Sequence, residues 1–242
     1  LQGRKGKGSS FGAEVDMQEI IDTKCFYQTV LNAALYLFKG GELSLQEKDG
    51  LLDYLLARQN RQKGFVFHLS AEELVDDIHL ISGEKPRTKL LKANAVELET
   101  LRLLALLGGD RPDVQQLIQT ANSRLEKQCF ANVCLTGDCV GASVAYLRYI
   151  SSRQAGPWEL QVRHGMEILK ENRSGDGRWS RFPYFFTLLW LVELPRTISK
   201  AEIRYTRDTA KEYLQNSYKH KGPFQEIREL ILVKVLGTPF GN

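Results

Sequence analysis

Apolar residues recur along this chain at three- and four-residue intervals, and no segment alternates apolar and polar residues for the length of a strand. In residues 15–38 the apolar positions Ile20, Ile21, Val30, Leu31, Ala34, Leu35 and Leu37 predict one helix, stopped by Gly40-Gly41. Three Ser-x-x-Glu patterns, Ser44/Glu47, Ser70/Glu73 and Ser199/Glu202, read as capping boxes. In such a box the hydroxyl and the carboxylate satisfy backbone N–H groups left open at a helix start. The first opens a helix through Leu51, Leu52, Leu55 and Leu56. The second precedes Leu74, Ile78 and Ile81, and the third opens a charged helix to about residue 218. Pro86 starts a longer helix whose later part, 96–107, is nearly all apolar on one side and ends at Gly108-Gly109. Further helices are predicted over 112–127, 142–150, 157–172 and 185–194. A last one carries Ile227, Leu230, Ile231 and Val235 after the break at Gly222-Pro223.

Polar-faced helices (45–59, 112–127, 158–172, 200–218) alternate with more apolar ones (96–107, 142–150, 185–194). A helix that is apolar most of the way round must be covered on several sides. The expectation is therefore an all-α fold of about five helix hairpins, with apolar helices inside and amphipathic helices outside. Residues 13–242 form one helical-repeat domain, and 1–12 a basic Gly/Ser tail. Repeated hairpins close into a double ring or stay open as a solenoid.

The turns between outer and inner helices repeat a pattern. Gln59 is followed after four residues by Gly64-Phe65, and Asn172 after four residues by Gly177-Arg178-Trp179. The amide caps the outer helix, the glycine permits a tight turn, and the aromatic packs on the neighbouring repeat. A copy around Gln128 lacks the glycine and the aromatic. The pattern resembles the glutamine–tryptophan repeats of squalene and hopene cyclases and the related repeats of protein prenyltransferase β subunits, over roughly residues 45–194. That resemblance implies an α/α toroid, complete or incomplete, whose inner helices line an apolar central cavity. It also implies an isoprenoid or other apolar small molecule as ligand. Protein prenyltransferases hold zinc with Asp-x-Cys and a later His. Here Asp138 and Cys139 are adjacent, and Phe186 stands where the His would fall. The Asp-x-Asp-Asp acid of the cyclases is absent, and Asp176 is alone in its loop. Asp138, Cys139 and Asp176 are the catalytic candidates that remain, and whether the chain is an enzyme stays open. The alternative is a non-catalytic helical-repeat module for a protein partner.

From the residues themselves, Trp179, Tyr184, Phe185 and Phe186, with Phe65 at the first junction, can wall a cavity for an apolar chain. The same rings can equally be inner-helix packing. Arg178 and Arg181 flank the group and can meet an anionic headgroup at a cavity mouth. Val75-Asp76-Asp77-Ile78-His79-Leu80 lacks the final acid of a magnesium-binding DDxxD and reads as a solvated helix face.

Composition changes this picture little. The 242 residues are 43% hydrophobic and 26% charged, which is ordinary for a globular chain. Of the net charge of +4, Arg4, Lys5 and Lys7 supply three, so no basic stripe suggests nucleic acid. Cys129, Cys134 and Cys139 lie at a spacing unlike the CxxC pairs of zinc ribbons, so no metal or other cofactor is expected. No apolar run is long enough to span a bilayer. With no secretory signal, the expected compartment is the cytoplasm.

Overall fold

The structure is a computed structural model and describes residues 17–61, 64–69, 78–136, 139–154, 156–216 and 222–237. Among them the secondary structure is helical: α1 Met17–Ile20, α2 Phe26–Phe38, α3 Leu45–Ala57, α4 Lys89–Gly108, α5 Pro112–Leu125, α6 Cys139–Arg153, α7 Trp158–Glu171, α8 Tyr184–Glu193, α9 Arg196–Gln215 and α10 Gln225–Leu236. A 3₁₀ turn, Cys129–Asn132, joins α5 to α6. The fold class is all-α.

Helix starts follow local chemistry. Ser44 forms the predicted capping box with Glu47, and Pro112 sits in the first turn of α5. Three predicted starts shift. Residues 15–38 are not one helix, because the Asp22 carboxylate accepts from Lys24 N at 2.8 Å and Cys25 N at 3.0 Å and turns the chain before α2. The helix expected at Pro86 begins at Lys89, where Thr88 Oγ1 accepts from Leu91 N at 3.1 Å. Ser199 is no cap: α9 begins one turn earlier, after Pro195, whose φ of −52° is already helical. Ser199 is buried inside that helix, and its hydroxyl has no partner. The capping box expected at Ser70 lies outside the described residues, as does Asp76-Asp77.

The core runs through α2, α4, α6, α8 and α10. Successive members of this set pack on one another, and α4 and α6 share the largest contact. At the far end α10 meets α2 again. Lys39 Nζ lies 2.9 Å from Glu226, and Lys234 stacks over the Phe38 ring at 5.1 Å. Helices α3, α5, α7 and α9 lie outside, as their one-sided apolar stripes require. The layers approach closely. A Cβ on Gly165 of α7 would stand 2.7 Å from Leu147 and 3.2 Å from Trp190, so only glycine lets α7 settle on α6 and α8.

The repeat is clearest at the outer helix ends. The side-chain amides of Gln128, Asn172 and Asn216 each donate to the carbonyl four residues earlier, at 3.4, 2.8 and 2.9 Å. These three amides stand 44 residues apart, within the period of helical-repeat architectures. The first junction departs from the expected pattern. There Asn60, not Gln59, does the bonding: its Oδ1 accepts from His68 N at 2.8 Å, and its backbone N–H reaches Val66 O.

Candidate functional site

Three groups of residues lie among α2, α4, α6, α8 and α10. One end is covered by residues Ile78 to Glu84, which precede α4. Tyr27 Oη of α2 donates to His79 O and accepts from His79 N, at 2.9 and 2.7 Å. Arg228 of α10 donates to Ser82 O at 3.1 Å and Gly83 O at 2.7 Å. Glu84 reaches across to α8, where its carboxylate accepts from Phe186 N at 2.7 Å. That is the position at which a helix N-terminus favours negative charge. Burial nevertheless raises the Glu84 carboxyl above its ordinary pKa, against the hydrogen bonds from Phe186 and Ser82 that work to lower it. Beneath this segment is an apolar space of about 30 Å³. It is walled by Val30 and Leu31 of α2, Leu80 and Ile81 of the covering segment, Val96 of α4, and Phe186 of α8.

The middle layer is ionic. Arg148 makes a bidentate pair with Glu193, Nε to Oε2 at 2.7 Å and Nη2 to Oε1 at 2.9 Å, and its third nitrogen bonds Glu99. Arg102 bonds the same two acids, Glu193 at 2.8 Å and Glu99 at 3.2 Å. Two arginines and two glutamates from α4, α6 and α8 therefore alternate around a closed circuit, with Arg148 1% exposed. Burial works to raise the Glu193 pKa, but the Arg102 and Arg148 charges outweigh it and hold the carboxyl below its ordinary value.

The other end opens as a polar mouth of about 330 Å³. Residues from the C-terminal halves of all five inner helices line it, including Phe38, Leu106, Ser151, Glu193 and Lys234. Carbonyl ends of helices favour cations, and Arg102, Arg148 and Lys234 supply them.

The residues singled out in the sequence fall in several places. Trp179, Tyr184 and Phe185 do come together. Trp179 packs on Tyr184 and Tyr205, and Tyr184 and Phe185 pack on Tyr213, with centroids 5.2–6.2 Å apart. Arg178 stacks over Tyr213 at 5.2 Å. This group seats α8 against α9, since Trp179 Nε1 donates to buried Glu202 at 2.8 Å and Tyr184 Oη meets Thr206 at 2.9 Å. Phe186, on the other side of α8, is the one that faces the central space. Phe65 stands apart, under the Arg124 guanidinium at 4.1 Å. Arg124 pairs in turn with Glu97, which also accepts from Val66 N at 2.6 Å. Burial raises the Glu97 pKa despite that pairing. Arg181 is exposed in a left-handed conformation, φ +70°. Asp176 locks its turn by accepting from Ser174 Oγ at 2.5 Å and Arg178 N at 3.2 Å. The Ser174 bond leads in holding its pKa below the ordinary value. Asp138 lies outside the described residues. Cys139 opens α6 with its Sγ 3.0 Å from Cys129 Sγ, and Cys134 joins them within 4.8 Å. The x4 spacing did not suggest this cluster, because a turn at Val133 brings the middle cysteine back.

No helix among the described residues is long and apolar enough to cross a membrane. No protein-family model matches this chain, and no curated protein or solved structure matches it.

Proposed function

We propose that the chain is a small ring of the α/α-toroid type, akin to the terpenoid cyclase and prenyltransferase toroids, that binds an apolar ligand of the isoprenoid class. The observation that carries this is the apolar space at the ring centre, covered by the non-helical segment Ile78 to Glu84. At about 30 Å³ the space is far below the several hundred Å³ of a typical ligand pocket. The ligand therefore enters by displacing Leu80 and Ile81, and its own chain takes their place against Val96 and Phe186. Such an exchange keeps apolar area covered, so its main cost is the polar bonds from Tyr27, Arg228 and Glu84 that hold the segment down. The 44-residue recurrence of the amide caps supports the toroid kinship. No reaction is assigned. Asp176 is tied into its own turn by Ser174 and Arg178, and Glu84 Oε2 accepts from both Phe186 N and Ser82 Oγ. We place the chain in the cytoplasm, where three thiols this close stay reduced.

The test is binding of farnesol, followed by tryptophan emission. The wild-type chain is compared with Arg228→Ala, which loosens the segment, and with Leu80→Ala/Ile81→Ala, which enlarges the space. Both variants are expected to bind several-fold tighter than wild type. Absence of saturable binding in all three defeats the reading. A folded chain that instead retains a protein partner through α3 or α7, where Leu45 and Leu160 are exposed, favours the interaction module.

A further inference from the structure

We propose that Cys129, Cys134 and Cys139 form a binding site for a thiophilic d¹⁰ cation, Zn²⁺ foremost, held by three thiolates with its fourth position open to water. The three sulfurs lie within 4.8 Å of one another. A Zn–S bond of about 2.3 Å in tetrahedral geometry sets neighbouring sulfurs about 3.8 Å apart, so this triangle closes on such an ion with sub-ångström adjustment. The Cys129–Cys139 separation of 3.0 Å is well beyond the roughly 2.0 Å of a disulfide, and a disulfide would leave the third sulfur without a role.

The backbone around the cluster is built toward it. Val133 is buried and sits at φ +51°, ψ +50°. A β-branched residue in that region is strained, and such strain persists where the surroundings demand it. The turn it makes carries Cys134 back beside the 3₁₀ turn that bears Cys129. Thr136 N–H points at Cys134 Sγ from 3.4 Å, and Ser143 Oγ of α6 holds the Cys134 carbonyl at 3.3 Å. An N–H aimed at sulfur favours thiolate. A divalent cation bound by all three sulfurs balances their thiolate charge, and the displaced protons leave to solvent. Cys129 is exposed, which gives the fourth coordination position access to water.

The test uses the full chain, kept reduced and stripped of metal, and titrated with Co²⁺ and then Zn²⁺. The expected result is one equivalent of Co²⁺ with a thiolate-to-metal charge-transfer band in the near ultraviolet, proton release, and displacement of Co²⁺ by Zn²⁺. Cys129→Ser and Cys134→Ser should each remove about a third of the band, one sulfur of three. Each should also weaken Zn²⁺ binding by more than the roughly 10–100-fold that loss of an outer-shell partner costs. Cys25→Ser should change neither. Far-ultraviolet circular dichroism checks that Cys129→Ser, an exposed position, keeps the helical fold. The proposal is overturned by the absence of a saturable band. A band unchanged in both cluster variants also overturns it. So does a Cys129–Cys139 disulfide that forms as fast with one equivalent of Zn²⁺ as without.

Discussion

Glu84 and Glu193 are both buried glutamates, yet their surroundings push them in opposite directions. Glu193 has two arginines on it, and Glu84 is dominated by lost hydration. The pH consequences differ in sign. The Glu84 pKa is higher folded than unfolded, so its contribution to stability is full below the unfolded pKa and is lost as pH rises through the folded value. Urea unfolding of Glu84→Gln, which stays neutral, should show the wild type losing ground to the variant as pH rises above the ordinary glutamate pKa of about 4.3. A difference independent of pH would mean that Glu84 is not perturbed. The Glu193 pKa is lower folded than unfolded, so its contribution is present above the unfolded pKa and is lost as pH falls through the folded one. Removing the carboxylate altogether leaves Arg148 buried with half its partners. Glu193→Ala should therefore cost about 3–5 kcal/mol in unfolding free energy near neutral pH.

At the scale of elements, the two Gly-aromatic junctions share a design. Each seats its aromatic beside an arginine paired with a buried glutamate, Phe65 with Arg124 and Glu97, and Trp179 with Arg173 and Glu202. Both glycines have positive φ, Gly64 at +83° and Gly177 at +78°. Their surroundings differ. A Cβ at Gly64 meets only the flexible Arg124 side chain at 3.4 Å, whereas at Gly177 it would stand 2.1 Å from Thr209 Oγ1 and 2.9 Å from Thr209 Cβ. Gly64→Ala should thus cost only the backbone strain, about 1–2 kcal/mol. Gly177→Ala should cost clearly more, because α9 must move, and thermal unfolding of the pair ranks them. At the α3 start, Ser44→Ala should remove about 1 kcal/mol by breaking the capping box.

For the whole molecule, the ionic circuit decides what the axis can hold. Glu99 borders the apolar space and Arg102, Arg148 and Glu193 border the mouth, so the circuit stands between the two. On the proposed function, a ligand chain takes the end under Ile78 to Glu84, on the side of Phe186. Arg102→Met and Arg148→Met with Glu99→Leu and Glu193→Leu would replace the whole circuit by apolar groups of similar size. Such complete swaps are often neutral or stabilising, so the quadruple variant should unfold no more easily than wild type. It would also lengthen the apolar space, and the length of the longest isoprenol it accepts should increase, as read by the same emission titration.

The all-α class, the outer and inner helices and most element limits were legible in the chain, because apolar period and caps act within a few residues. The capping role of Asn172 was legible for the same reason, and the 44-residue recurrence of Gln128, Asn172 and Asn216 could have been read there too. The candidate chemistry was legible only as residue types. Trp179 to Phe186 reads as one aromatic cluster, yet consecutive residues of a helix point about 100° apart. Tyr184 and Phe185 therefore went to α9, and Phe186 alone to the centre. Apart from the i,i+3 pair of Glu99 and Arg102, the arginine–glutamate circuit joins residues 45 to 91 positions apart, and no local pattern announces such pairings. The cysteine triangle depends on one left-handed residue, Val133, which sequence disfavours. What the sequence determined by itself was set by short-range periodicity. What tertiary structure alone decided was which side chains share the axis, because that depends on the rotation of each helix against its neighbours.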